Sequence, residues 1–419
     1  MSPEFGNPVQ IPPMRILDND AFLDLLDRIP PDLDGLQVRR HLGDAVDPGT
    51  ARALAEQVAL RQRAASKFAR TQGLLLTGKG LEQASPLPVA RRRAARIAAW
   101  PGGSGGAGPV LDATAGLGCD AIALAAAGVA VVASDADPWT ARCLSQNLRA
   151  HGFDSRVVVA RAQDRVVSAP FLVLDPDRRA PDGTRTGDPA RWSPPWSAIE
   201  DLLARSEGAV VKLAPATTVE SIEREARERG RTLLEWVSWN GELKEVALWT
   251  GALVGGDEDR IRRAVALRGA DRVETLEAGD DERAPVAPLT PSEAAEVAWI
   301  AEPDPAVLRA GLLEAQAGRS GARPLGPGIA YLGADERPRL PLLSSFRVLD
   351  TTPVDRRRVR AMLGRHDVGP LTVKRRGHPQ DADTLAKRFR GPGKKRGLLV
   401  VARLEEGHRA WLVERVTGK

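Results

Sequence analysis

The sequence predicts an α/β protein: an open, mostly parallel seven-stranded sheet with helices on both faces, preceded by a helical domain and followed by a small α+β region. Three observations carry this expectation. Between Val110 and Trp249, apolar runs of strand length alternate with helical stretches. A glycine-rich turn follows the first of those runs. Beyond Leu253 the composition changes, first to a proline- and acid-rich passage and then to a strongly basic one.

At 419 residues the chain is too long for one ordinary domain, and with 42% hydrophobic and 27% charged residues it falls among globular rather than disordered chains. No run approaches the roughly 18 apolar residues of a membrane span, and the N-terminus lacks a basic region followed by an apolar one, so a cytoplasmic location is expected. Two cysteines and five histidines show no ligand spacing, so neither a disulfide nor a metal site is expected. Residues 1–18 read as a tag-like or disordered start.

From Asn19 to Ala69 apolar residues recur at three and four (Phe22, Leu25, Leu26, then Leu54, Val58), interrupted by Pro30-Pro31 and Pro48. This places a helical domain over 19–100. The stretch Gly102 to Gly108 reads as a linker into a core over 101–253. Strands are expected at Val110-Leu111, Val129 to Ala133, Arg156 to Ala160, Phe171 to Leu174, Ala209 to Leu213, Leu233 to Val237 and Lys244 to Trp249. The last two are close enough in sequence to form an antiparallel end. Short strand-like runs after Phe346 alternate with helical stretches at Asp355 to Leu363 and Ala382 to Arg390, which describes a small α+β domain over 339–419.

The chemistry-bearing string is Asp112-Ala113-Thr114-Ala115-Gly116-Leu117-Gly118-Cys119-Asp120, a glycine turn between a strand and an Ala-rich helix. The turn alone also fits a nicotinamide dinucleotide. The acids discriminate. Asp135, followed by Ala136, ends the second strand and can accept both hydroxyls of a ribose; Asp164 stands past the third strand, where an acid can accept from an adenine amine; Asp175 ends the fourth. S-adenosylmethionine carries a sulfonium and an ammonium and no phosphate, so Asp112 suits it, whereas a pyrophosphate would be repelled. Each acid taken singly is also a common helix cap or loop residue.

With these residues in view, the chain resembles the class I S-adenosylmethionine-dependent methyltransferases, and specifically a bacterial THUMP-like branch similar to enzymes that modify ribosomal RNA and trimethylguanosine caps. The likeness rests on Leu81-Glu82-Gln83-Ala84-Ser85, the Asp112 to Asp120 turn, Asp135, Asp164, Asp175-Pro176-Asp177-Arg178-Arg179, Val211-Lys212-Leu213-Ala214-Pro215, Asn240 to Glu245, Ala301 to Pro305 with Arg309-Ala310-Gly311, and Lys374-Arg375-Arg376-Gly377. It implies a Rossmann-like methyltransferase core, a ferredoxin-like segment over 254–338 and a THUMP-like module over 339–419. It also places Gln83 and Ser85 near the methionine end of the cofactor.

The resemblance is weakest at the methyl-acceptor corner. Amine-directed nucleic-acid methyltransferases place an acid or Asn, two prolines and an aromatic there. Here Asp175-Pro176 is kept, Asp177 replaces the second proline and Arg178 the aromatic. Asp175 can still accept an amine proton and an arginine plane can stack on a base, so Asp175, Pro176, Arg178 and Lys212 form the candidate catalytic set. Lys212 reads equally well as a substrate contact or as a snorkelling surface lysine. Ser193-Pro194-Pro195-Trp196 spells the missing motif 18 residues too late and reads as a decoy loop.

Residues 351–400 hold 14 Lys or Arg against 4 Asp or Glu, within a chain whose net charge is only +5. Such a concentrated patch suits phosphate neutralisation, with a solvated face as the alternative. Lys374, Arg375, Arg376, Lys387, Arg388, Lys394, Lys395 and Arg396 are the candidate contacts to structured RNA, and Phe389 is the one aromatic among them. The sequence thus reads as an RNA methyltransferase acting at an exocyclic amine. A non-catalytic RNA-binding or assembly factor of the same fold, or a small-molecule or protein methyltransferase, are the alternatives.

Overall fold

Pro48 does not break the N-terminal helical pattern but starts a helix, since a proline at the first helical position gives up only an N–H that has no partner there anyway. Asp47 caps that helix, Pro48–Ala64, by accepting from the Gly49 and Thr50 amides. The computed structural model describes residues 20–100, 108–164, 166–178, 184, 186–259, 261–269 and 272–416. The expected tag-like start, the linker from Gly102 to Ala107 and Arg179 lie outside the described residues. No helix among the described residues is long and apolar enough to cross a membrane.

The chain divides into two units, Met1–Thr232 with Leu248–Asp257 and Leu233–Ala247 with Glu258–Lys419. In the first, strands β1 (Val110–Asp112), β2 (Val131–Asp135), β3 (Arg156–Val159), β4 (Phe171–Leu174) and β5 (Gly208–Leu213) lie in the order β3-β2-β1-β4-β5. All four pairings are parallel, and each linking segment carries a helix or helical turn. β4 and β5 are buried at every residue, as strands covered on both faces must be. The first five expected strands are therefore present, and being parallel they all end at one edge of the sheet.

The helical segment 19–100 belongs to this same unit rather than standing as a separate domain, because buried amides bind it to the core. Asn147, fully buried on helix Pro138–Ala150, accepts from the Leu75 amide at 2.8 Å and donates to the Leu117 carbonyl at 3.0 Å. Gln57 pairs with both main-chain groups of Leu76, at 2.8 and 3.0 Å. These side chains do for an extended segment what a neighbouring strand would otherwise do.

β6 (Thr232–Trp239) and β7 (Glu242–Gly251), whose residues 233–247 belong to the second unit, form a hairpin about Asn240 and Gly241, both at positive φ, as a two-residue type I′ turn requires. This is the antiparallel end expected from the sequence. β8 (Arg262–Arg268) runs parallel to β6 and is followed by antiparallel β9 (Arg272–Ala278). β10 (Trp299–Pro303), β11 (Arg323–Pro324) and β12 (Leu332–Ala334) instead join a seven-stranded sheet with β13 (Leu343–Pro353), β14 (Val368–Arg376), β15 (Lys395–Leu404) and β16 (Gly407–Arg415). Its order is β11-β12-β10-β13-β16-β15-β14. The expected ferredoxin-like segment 254–338 is thus not a sheet of its own: β10 pairs along five residues with β13, and β8 satisfies the open side of β6.

Replacing Asn147 with Leu leaves the Leu75 amide and the Leu117 carbonyl without that partner in a dry site, so the Asn147→Leu variant is expected to lose about 3 kcal/mol of unfolding free energy in urea. A loss below about 1 kcal/mol would show that this tie is dispensable.

Candidate active site

Parallel strands all deliver their carboxyl ends to one edge, which is where an open α/β sheet holds its ligand. At that edge Asp112 ends β1, Asp135 ends β2 and Asp175 follows β4. Between β1 and helix Cys119–Ala126 the turn is pinned by main-chain bonds: Ala113 N donates to Val173 O at 3.0 Å and Ala115 N to Ser134 O at 2.9 Å. Gly116 has φ +56°, and a Cβ built on it would meet nothing within 4 Å, so its backbone borders open space. Gly118 is needed for the opposite reason. At φ +91° it lets the helix begin so close to Leu144 that a Cβ would lie 2.7 Å from a leucine methyl.

Asp135 uses each carboxylate oxygen once, accepting the Gly116 amide on Oδ2 at 3.0 Å and the Asp137 amide on Oδ1 at 2.9 Å. Burial raises its pKa against those bonds. Its remaining lone pairs can take a pair of vicinal hydroxyls. Ala136 and Asp164 are exposed beyond β2 and β3, Asp164 on the short turn Ala162–Asp164. Thr114 turns its hydroxyl inward, where it accepts the Asp175 amide at 2.6 Å and so ties the glycine turn to the end of β4. Gln83 is exposed at the end of helix Gly78–Gln83.

Behind the turn lies a buried charge cluster. Asp120 accepts from Arg93 Nε and Nη2 at 3.0 and 2.7 Å and from Lys212 Nζ at 3.2 Å, and Lys212 Nζ also binds Asp175 Oδ2. Ser85 Oγ accepts from Arg93 Nη2 at 3.2 Å, so Ser85 is drawn into this cluster. Lys212 is 7% exposed and therefore not the snorkelling surface lysine that the sequence allowed. Burial alone would raise the Asp120 carboxyl, but the Arg93 guanidinium and Lys212 ammonium hold it below the usual range. Asp112 is 2% exposed, and its Oδ2 makes no hydrogen bond among the described residues, so Lys212 and Arg93 act on it only from a distance and do not offset its burial. Burial, then the nearby Asp120 carboxylate, pushes it up to about 8.

The acceptor corner holds a surprise. Asp177 and Ser193 exchange both main-chain hydrogen bonds, at 2.9 and 2.8 Å, so the Ser193-Pro194-Pro195-Trp196 string read as a remote decoy lies directly against Asp175-Pro176-Asp177. Its aromatic does not reach into the site. Trp196 is 7% exposed, donates to Glu225 Oε2 at 2.9 Å and packs edge-on to Trp192. Pro176 is buried and Arg178 half-buried, while Lys79 reaches Asp177 at 3.3 Å from helix Gly78–Gln83. Neither Lys79 nor Arg93 was singled out from the sequence. Arg93 had a signal: with Val89 and Ile97 it repeats every four residues on the buried side of helix Leu87–Ala99.

The basic candidates do not form one surface. On β14, Lys374 donates to Glu302 at 2.6 Å and Arg376 lies 5.5 Å from the centre of the Tyr331 ring, both on the face packed with Ile300, Phe346 and Trp411. Arg375 points the other way. That other face is covered by helices Arg356–Arg365 and Ala382–Phe389, whose Val359, Met362, Leu363, Leu385 and Phe389 are buried against it. Lys387, Arg388, Lys394, Lys395 and Arg396 are exposed, as are Arg356, Arg357, Arg358 and Arg360, which were not named from the sequence. Phe389 is core and cannot stack on a base.

Residues 343–415 match the THUMP domain-like family. An uncharacterised S-adenosylmethionine-dependent methyltransferase of Mycobacterium tuberculosis is 33% identical over 360 residues, covering 84% of this chain and 93% of its own, in strains CDC 1551 / Oshkosh and H37Rv alike. The crystal structure of a methyltransferase described as putative from Porphyromonas gingivalis W83 superposes with a TM-score of 0.75 at 18% identity, covering 96% of this chain and 99% of that one. The chain belongs to the S-adenosylmethionine-dependent methyltransferases, and S-adenosylmethionine is its cofactor. The residues present fit that group: Asp112 offers a buried carboxyl with an unused oxygen to a cationic ligand, beside a glycine turn open to a close approach.

Asp112 keeps its proton when folded over a pH range where the unfolded chain has lost it, so its ionisation weakens the fold progressively from about pH 4 to about pH 8. The Asp112→Asn variant is therefore expected to gain on wild type in urea unfolding free energy from about pH 5 to about pH 8, by up to about 1.4 kcal/mol per unit. A difference that stays constant across that range contradicts the burial argument.

Proposed function

We propose that this methyltransferase acts on structured RNA, ribosomal or transfer RNA, at an exocyclic base amine. The observation that carries the RNA assignment is the layer of exposed Arg and Lys on the two helices and following loop of the THUMP-like segment. Phosphate contacts of this kind position a nucleic acid without reading its sequence. The amine assignment follows from Asp175, whose carboxylate is 39% exposed at the end of β4 while its amide is fixed by Thr114.

Asp135 would hold the cofactor's ribose and Asp164 its adenine amine, with Asp112, Ala113, Thr114, Gly116, Gly118 and Ala136 shaping the turn against it. Gln83, Ser85 and Asp120 close the methionine side. When bound, S-adenosylmethionine supplies an electrophilic methyl carbon. The chain's own task is positioning: Asp175 and the Pro176 main chain orient a neutral amine, Asp175 accepts the hydrogen bond of the departing proton, and Arg178 offers a planar surface to the base. Lys212, bound to Asp175 Oδ2, helps to hold that carboxylate in place.

Tritiated methyl transfer to undermethylated total RNA tests this reading: label should enter RNA, and Asp175→Asn should lower the rate at least about 100-fold. Replacing Arg357, Arg358, Lys387 and Arg388 together by Gln should reduce the dependence of log affinity on log salt by roughly 3 to 4. A salt slope unchanged by those substitutions removes the helical layer from the RNA interface.

A further inference from the structure

The cluster behind the glycine turn contains one residue that the cofactor and acceptor roles leave unexplained. Arg93 is 3% exposed, and its Nε and Nη2 both donate to Asp120 Oδ1, while Nη2 also reaches Ser85 Oγ. On the other oxygen of Asp120 sits Lys212, which also binds Asp175. Among the described residues, the carboxyls facing Lys212 include Asp112 from β1, Asp120 from helix Cys119–Ala126 and Asp175 beyond β4; burial pushes the neighbouring Cys119 thiol up and so keeps it neutral. Two cations thus serve three carboxyls.

A buried charge deprived of its partner is far more costly than an exposed one. The Asp120 side chain is 11% exposed and that of Asp175 39%, so in a contest for a single lysine Asp120 prevails. Arg93 removes the contest. Its guanidinium brings a full positive charge and two N–H donors to one oxygen of Asp120 and leaves the other oxygen to Lys212.

We infer that Arg93 is a positioning residue for methyl transfer: by neutralising Asp120 it leaves the Lys212 ammonium shared with Asp175, which holds the Asp175 carboxylate in place at the acceptor corner. The inference rests on the reading of Asp175 as the group that meets the acceptor. It acts through Asp120 and Lys212, within one unit of the chain.

The test is ¹³Cγ-aspartate NMR of the full chain, with the Asp175 signal assigned by its loss in Asp175→Asn. In Arg93→Met the titration midpoint of Asp175 should rise by at least about one pH unit, and Arg93→Lys should bring it back to within about half a unit of wild type. An unshifted midpoint in folded Arg93→Met overturns the inference. Should Arg93→Met not fold, Asp120→Asn is compared with Asp120→Asn/Arg93→Met. With the carboxylate gone Arg93 has nothing to neutralise, so the two midpoints should agree within about 0.3 unit. A gap of a full unit would mean that Arg93 reaches Asp175 by another route, and the inference fails. The transfer assay separates the two claims: a shifted midpoint with Asp175→Asn leaving transfer intact sinks the acceptor reading, whereas an unshifted midpoint sinks only the role of Arg93.

Discussion

Asp120 is the point on which the site turns, because it carries a full charge where almost no water reaches. A buried carboxylate survives only if its surroundings repay the lost hydration. Arg93 and Lys212 do so, and in doing so they tie helix Leu87–Ala99, helix Cys119–Ala126 and β5 to one another. Lys212 then extends the network to Asp175. Burial, joined by the nearby Asp120 carboxylate, pushes the Asp112 carboxyl up to about 8, since a third buried carboxylate would have no cation of its own. A cofactor with two positive centres and no phosphate is what such a pocket favours.

Much of this was legible in the sequence. Alternating apolar runs and helical stretches gave away the parallel sheet, because β4 and β5 are covered on both faces and are apolar throughout except for Lys212. Asp112, Asp135 and Asp175 were found because strand ends and acids can be counted along a chain. What stayed hidden depends on contacts between distant segments. Arg93 sits in the run Arg91-Arg92-Arg93, where only helical phase separates a buried arginine from an exposed and a half-buried one. The pairing of Asp177 with Ser193 joins residues that sequence distance alone had kept apart.

The basic module teaches the same lesson on a strand. Lys374, Arg375 and Arg376 are consecutive, so they cannot share a face. Two of them turn toward the packed side, where Glu302 and Tyr331 take them up, and one turns toward the helices. Charge counted along the sequence therefore overstated β14 and missed helix Arg356–Arg365, whose arginines are exposed while Val359, Met362 and Leu363 are buried. The RNA contact proposed for the two helices would need no aromatic, and Phe389 lies in the core.

The central claim is that Asp175 presents an exocyclic amine of RNA to the methyl donor. Mass spectrometry of nucleosides from RNA methylated with deuterated S-adenosylmethionine reads the acceptor atom directly. The account expects the label on a base amine, and its disappearance when Asp175 is replaced by Ala. Label on a ring carbon or a ribose hydroxyl, or amine methylation that persists in the Asp175→Ala protein, would contradict it.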